Sequence, residues 1–153
     1  MSEANRTLVQ KHLDAEARYD AVEAASYYHP DGEYIQASLG VRFSSRGNVA
    51  VQYAATFASI PDLEATVEEE TEGPSSVVHR GRIRGTVQNV LGVPAGGRVD
   101  MPFLAIYDIV DGQIFRETVH FDVDQFCEQA GADVTAVRAA AQAMTRAMAG
   151  AGA

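Results

Sequence analysis

Apolar positions recur at helical spacing over the first part of the chain, at Leu8, His12, Ala15, Tyr19 and Val22, with polar residues between them. The spacing predicts one amphipathic helix over residues 3–27, broken at His29-Pro30-Asp31-Gly32, where proline has no N–H to give and glycine favours a turn. A short strand over residues 33–37 and a turn rich in Ser, Arg and Gly lead to a second helical stripe, Val49, Tyr53, Phe57 and Ile60, over residues 47–59 and stopped by Pro61. From Leu63 the pattern alternates: Leu63, Ala65 and Val67 are separated by Glu64, Thr66 and Glu68, the mark of a strand with one wet face. Two long strands follow, residues 76–90 and 98–110, and Asp111-Gly112 then turns the chain into a last strand that ends at Asp122. A helix over residues 123–129 closes at Gly131, and Asp133 caps a further stripe, Val134, Val137, Ala141, Met144 and Met148, with a loose tail from Ala149.

Helices first and then an antiparallel meander of long strands predict an α+β fold in which a curved sheet wraps the N-terminal helices and leaves a cone between them. Neither repeat nor linker interrupts the pattern, so residues 1–153 read as a single domain, with a core over about 5–131 and a C-terminal helical extension over 133–149. If Asp111 and Gly112 form a two-residue turn, Val110 faces Gln113, and the pairs that follow are Tyr107 with Arg116, Ala105 with Thr118, Phe103 with His120, and Met101 with Asp122. One face then carries a carboxyl group and an imidazole beside Met, Phe, Ala and Tyr, the composition of a small-molecule pocket.

Composition bounds the function. At 153 residues, with 46% hydrophobic and 22% charged positions, the chain can bury a core without staples. Its formal charge of −9 argues against nucleic acid and anionic membrane surfaces as partners. A single cysteine, Cys127, excludes an internal disulfide framework and reads as a buried small residue of the penultimate helix. There is no apolar run of membrane-spanning length and no signal-peptide core, which predicts a cytoplasmic protein. The acidic run Glu68–Glu72 reads as a solvated strand end rather than a cation site, because one strand does not make ligands converge. Gly96-Gly97 joins two strands and opens no helix, so it is not a phosphate loop.

Gly81-Arg82-Ile83-Arg84-Gly85-Thr86, Leu91-Gly92-Val93-Pro94-Ala95-Gly96-Gly97-Arg98, Asp111-Gly112-Gln113-Ile114, and Phe121-Asp122 with Glu128-Gln129-Ala130-Gly131 together resemble the SnoaL-like polyketide cyclases of the nuclear-transport-factor-2-like superfamily. The resemblance covers residues 5–131 and implies a cone-shaped α+β fold, a homodimer paired through its sheets, and a small hydrophobic, polyketide-like substrate. It also implies acid/base chemistry with neither metal nor organic cofactor, of the isomerase or lyase kind found in antibiotic biosynthesis. In these cyclases an aspartate at the end of the last strand transfers the proton in an intramolecular aldol closure, and Asp122 matches that position. A carboxyl group in a dry cone titrates upward, toward the pH at which it both takes and returns a proton.

The resemblance thus makes Asp122 and His120 the expected catalytic pair. Tyr107, Arg116, Phe103, Met101 and Thr118 are the expected substrate-binding residues of that face, and Tyr34 and Gln36 come from the short strand. Each has a rival reading. Asp122 precedes a helix and suits an N-cap, His120 suits a pocket wall, and Arg116 and Tyr107 lie near the turn. His12 reads as a helix-face histidine, His79 and Arg80 as surface residues, and His29 as a loop residue. Tyr34-Ile35-Gln36 resembles the water-holding pair of epoxide hydrolases of the same fold, but no Arg-x-Asp stands in the middle strand, which leaves that relay incomplete. A non-catalytic ligand-binding or assembly module that keeps the cone is the other open reading.

Overall fold

The computed structural model describes residues 2–151 and divides the first helical stripe in two, α1 (Ser2–Ala17) and α2 (Ala21–Ser26). Tyr19 takes φ +57°, a left-handed conformation that ends a helix, and Asp20 caps the next one by accepting the Glu23 N–H at 2.9 Å. The Tyr19 ring sits edge-on to Phe57 and its hydroxyl donates to the Leu63 carbonyl at 3.0 Å. A tertiary anchor therefore overrides the single helix that the spacing predicts.

The chain continues as β1 (Tyr28–Gln36), which absorbs the expected break at Pro30 and Gly32, then β2 (Val41–Ser44) and α3 (Arg46–Ser59). After α3 come β3 (Glu64–Glu72), β4 (Ser76–Thr86), β5 (Asn89–Val90), β6 (Val93–Pro94), β7 (Arg98–Val110), β8 (Gln113–His120), α4 (Val123–Ala130) and α5 (Val134–Ala151). The strand expected to run from Ser76 to Val90 stops at Thr86, and β5 pairs with β6 in a small hairpin of its own. α5 is helical through Ala151, past the expected start of a loose tail at Ala149; residues 152–153 of that expected tail lie outside the described residues.

The six-stranded sheet has the order β2-β1-β8-β7-β4-β3. It is mixed rather than a pure meander, because β1 runs parallel to β8. Asp111 and Gly112 both take positive φ, 51° and 73°, as a tight hairpin turn requires. Register shifts between Tyr28 and Glu33, between Val67 and Glu69, and between Asp108 and Ile109 bend and twist the strands into the curve. At Gly81 an added Cβ would lie 2.0 Å from the Thr66 carbonyl oxygen, so only glycine lets β3 approach beside that irregularity.

Two apolar clusters fill the domain. One sits between α1–α3 and the sheet, built on Val9, Ala24, Tyr28, Val49, Val77 and Ile114. The other lies under α4 and the start of α5, where Val99, Met101, Phe126, Cys127 and Val137 pack. Cys127 is buried, as expected. Among the described residues no helix is long and apolar enough to cross a membrane.

Candidate active site

His12 and Glu16 lie four residues apart on α1 and therefore project from one helix face. Opposite them, alternation along β7 turns Phe103, Ala105 and Tyr107 toward the helices, and β1 turns Tyr34 and Gln36 the same way. α3 supplies Gln52, Tyr53 and Thr56. Together these elements enclose a cavity of about 330 Å³ whose wall is mostly apolar. Phe103, Tyr107, Tyr34 and Gln36, all expected to bind substrate, do line it.

The rest of the expected face does not. Val110 pairs with Gln113 as expected, but β8 then carries one more residue than β7: Ile109 pairs with Ile114, whereas Asp108 pairs with Arg116. One inserted residue reverses the face of everything beyond it. Tyr107 thus faces Glu117, Ala105 faces Val119, and Leu104 faces His120. Glu117, Val119 and Phe121 line the cavity, and Arg116, Thr118 and His120 belong to the outer face. Arg116 is held there by Glu33, with Nε 2.8 Å from Oε1. His120 is exposed, and Met101 is fully buried in the second apolar cluster rather than in the cavity wall. Asp122 is exposed and caps α4, its Oδ1 accepting the Gln125 N–H at 2.9 Å. The N-cap reading of Asp122 is the geometry found, so Asp122 and His120 do not share the cavity with Tyr107 and Phe103. His79 is also corrected: it is 1% exposed, with Nε2 2.7 Å from Glu70. Glu69, Glu70 and Glu72 of the acidic run are spent on Arg80, His79 and Arg6.

The polar centre of the cavity is a cluster of His12, Glu16 and Glu117 with two tyrosines. The His12 Nδ1–H donates to the Ala24 carbonyl at 2.9 Å, which aims Nε2 at the cluster. Nε2 lies 2.6 Å from Glu16 Oε1, 3.0 Å from the Tyr53 hydroxyl and 3.6 Å from Glu117 Oε2. Tyr53 donates to Glu117 Oε2 at 2.5 Å, and Tyr28 donates to the same oxygen.

These contacts drive the two carboxyl groups apart. Burial, the largest influence on His12, lowers its pKa, but Glu16 and Glu117 outweigh it and raise it to about 10, so the ring is an imidazolium at neutral pH. Burial pushes Glu117 up as well, yet hydrogen bonds and charge from His12, with the tyrosine hydroxyls, bring it below the usual carboxylate range. Glu16 is raised: burial outweighs the attraction of His12, and the charge on Glu117 adds to the rise. Burial, followed by Glu117, holds the Tyr28, Tyr34, Tyr53 and Tyr107 hydroxyls protonated.

His12, Glu16 and Glu117 bring their donor atoms within 4.8 Å of one another, a set that suits a divalent cation in kind. The 2.6 Å contact between Nε2 and Oε1 is nevertheless a direct ion pair with no space between its members. Among the described residues two buried oxygens of the cavity wall, Gln36 Oε1 and Gln52 Oε1, have no hydrogen-bond partner, and Glu16 Oε1 has His12 alone. α5 folds back on its own chain and closes part of the wall with Met144, while the Thr145 hydroxyl, which donates to the Ala141 carbonyl at 2.9 Å, lies 3.4 Å from the Gly40 carbonyl oxygen.

The cluster left a trace in the sequence. His12 and Glu16 interrupt a helix face otherwise carrying Val9 and Ala15, an i, i+4 polar pair at a core position. Glu117 left none, because its inward direction depends on the inserted residue in β8.

The SnoaL-like domain family matches residues 9–117. Among curated protein sequences none matches the chain. Solved structures of the same fold include a Jannaschia sp. protein assigned to the SnoaL-like polyketide cyclases, 22% identical, with a TM-score of 0.76 over 86% of this chain and 94% of that one. TsrD from Streptomyces laurentii superposes with a TM-score of 0.74 at 18% identity, over 87% of this chain and 98% of its own. A Catenulispora acidiphila protein with a ketosteroid isomerase-like fold, in complex with trimethylamine, superposes with a TM-score of 0.72 at 16% identity, over 84% and 95%. With its helices laid across a curved mixed sheet and most of its length matched, the chain belongs to the SnoaL-like family of the nuclear-transport-factor-2-like fold.

Proposed function

We propose that the protein is an acid/base enzyme that cyclises or isomerises a small, hydrophobic, polyketide-like molecule without an organic cofactor, and that Glu16 rather than Asp122 moves the proton. One observation carries this reading: Glu16 lines the cavity and its carboxyl group is pushed up by burial, while Glu117 beside it is pinned in its ionised form. Two carboxyl groups whose surroundings separate their titrations divide into a proton carrier and a fixed charge. Glu16 takes a proton from a carbon between two carbonyl groups, the resulting enolate attacks a third carbonyl, and Glu16 returns the proton to the new alkoxide. The His12 imidazolium holds Glu16 in place, and Glu117 keeps His12 charged. Tyr34, whose phenol oxygen accepts from the Gln36 amide at 3.4 Å, keeps its own O–H for the substrate oxygen.

The test is deuterium exchange into an aromatic ketone such as 2-tetralone in D2O, followed by NMR. Native protein and Asp122→Asn should accelerate exchange alike, and Glu16→Gln should not. Full activity in Glu16→Gln, or loss in Asp122→Asn, would return the role to Asp122. Ketone binding without exchange would favour a non-catalytic carrier.

We propose further that the outer sheet face pairs two copies of the chain. Its half-buried apolar side chains, Val78, Leu104 and Ile106, lie beside Thr118 on adjacent strands. Sedimentation should then give twice the monomer mass, and Ile106→Glu should halve it.

A further inference from the structure

We infer that the molecule this cavity takes carries a positively charged, hydrogen-bond-donating nitrogen on an apolar body. The inference rests on Glu16 being the proton carrier and names the substrate class for that site. Three observations support it.

The first is charge. Glu16 and Glu117 line the cavity, and among the described residues no Lys, Arg or His does. The one buried cation of the cluster, His12, stands behind them with Nδ1–H given to Ala24 and Nε2 turned to Glu16 and Tyr53. With both carboxylates ionised the cluster keeps one uncompensated negative charge, which a monocation neutralises and an anion would double at high desolvation cost.

The second is hydrogen bonding. Among the described residues the buried atoms of the wall left without partners, Gln36 Oε1 on β1 and Gln52 Oε1 on α3, are both acceptors, and Glu16 Oε1 on α1 has only its ion pair with His12. Gln52 is 7% exposed, so its free oxygen has no access to bulk water and its demand falls on whatever fills the cavity. An ammonium N–H meets that demand; a carbonyl oxygen or a carboxylate does not.

The third is the wall itself. Rings of Tyr34, Phe43, Tyr53, Phe103, Tyr107 and Phe121 surround the space, and aromatic faces attract cations. The same charge answers a need of the reaction. When the Glu16 carboxylate takes a carbon-bound proton, the C–H bond breaks, an O–H bond forms and the electron pair stays on the substrate. Tyrosine hydroxyls polarise that negative charge without neutralising it, and the wall offers no cationic side chain. A substrate with its own ammonium or iminium nitrogen becomes net neutral at that step.

Binding, measured by calorimetry apart from any turnover, tests the idea with three probes of similar shape: the protonated amine 2-methyl-1-phenylpropan-2-aminium, the neutral 2-methyl-1-phenylpropan-2-ol and the anionic benzenemethanesulfonate. The ammonium should bind about tenfold tighter than the alcohol, as one carboxylate and a ring face allow, and the sulfonate should not bind. Glu16→Gln should abolish the ammonium's advantage and leave the alcohol's affinity unchanged, with the melting temperature measured alongside. Equal or tighter binding of the alcohol or the sulfonate by native protein overturns this inference alone, whatever the variant does. Binding of none of the three overturns it together with the assignment of the cavity as a substrate site.

Discussion

Tyr107 and Glu117 face one another across the β7–β8 ladder, both turned into the cavity, because β8 gains one residue on β7 just past the hairpin turn. The carboxylate of the site is therefore a product of register rather than of the residues around it. Moving Glu117 to the outer face would strip His12 of its second carboxylate partner and Tyr28 and Tyr53 of the carboxylate oxygen they share. Deleting Phe115, which lies between the pairs Ile114 with Ile109 and Arg116 with Asp108, should do that. The deletion should unfold the protein or lower its melting temperature far more than Phe115→Ala, as differential scanning fluorimetry would show.

Replacing His12 should be costly and should change the pH profile of stability. His12→Gln leaves Glu16 and Glu117 buried without their cation, a loss of roughly 3–5 kcal/mol. A histidine raised to about 10 in the folded state stabilises fully below its unfolded value, about 6.5, and loses that contribution as pH climbs through the window between them. The native melting temperature should fall from pH 6.5 to 10, and the profile of His12→Gln should be flatter there. A native profile flat across that window would show that the imidazolium is not held.

Glu16→Gln should separate stability from activity. A carboxyl group raised in the folded state costs stability above its unfolded pKa, and the amide avoids that cost while keeping the shape. The variant should melt at or above the native temperature at pH 8, where the native carboxyl is most penalised, while proton exchange is lost. A large drop in melting temperature would mean instead that the ion pair with His12 outweighs the burial of Glu16.

Much of the architecture was legible because it follows from local periodicity. The α3 stripe, the strand β3, the Asp111-Gly112 turn and the α4 helix closing at Gly131 stand where residue pattern and turn chemistry put them, although β3, an edge strand, is exposed on both faces rather than on the one that its alternation predicts. What escaped depends on contacts distant in sequence. The break at Tyr19 requires Phe57 and Leu63, and the parallel pairing of β1 with β8 joins segments about eighty residues apart, as Tyr34 with Glu117 shows. Half of the expected site failed for a smaller reason. An ideal two-residue hairpin projects Thr118, His120 and Asp122 inward, and one extra residue sends Thr118 and His120 outward and leaves Asp122 at the exposed start of α4. Phe103, Tyr107, Tyr34 and Gln36 survived because none of them lies beyond that irregularity in β8.

Asp122 should behave as a cap. Asp122→Ala removes the acceptor of the Gln125 N–H and should lower stability by about 1 kcal/mol, and Asp122→Asn, which caps nearly as well, should lower it less. Ligand affinity should be unchanged in both. A stable Asp122→Asn protein that no longer binds or turns over ligand would contradict the capping role.

Met144 should set the size of ligand that the cavity admits. It belongs to α5, beyond the residues matched by the SnoaL-like family, yet it lines the same wall as Phe126 and Leu39. The helix is anchored by Val137 and Ala141, buried at 0% and 1%, so a change at the half-buried Met144 leaves its seat intact. Met144→Ala should extend the cavity and favour larger ligands, at a stability cost below the roughly 2–5 kcal/mol typical of a fully buried methionine. Met144→Trp should weaken large ligands more than small ones while the melting temperature stays within a few degrees. A homologous ligand series ranked by calorimetry against both variants reads this directly: a ranking that neither variant shifts would mean that α5 covers the domain without shaping its cavity.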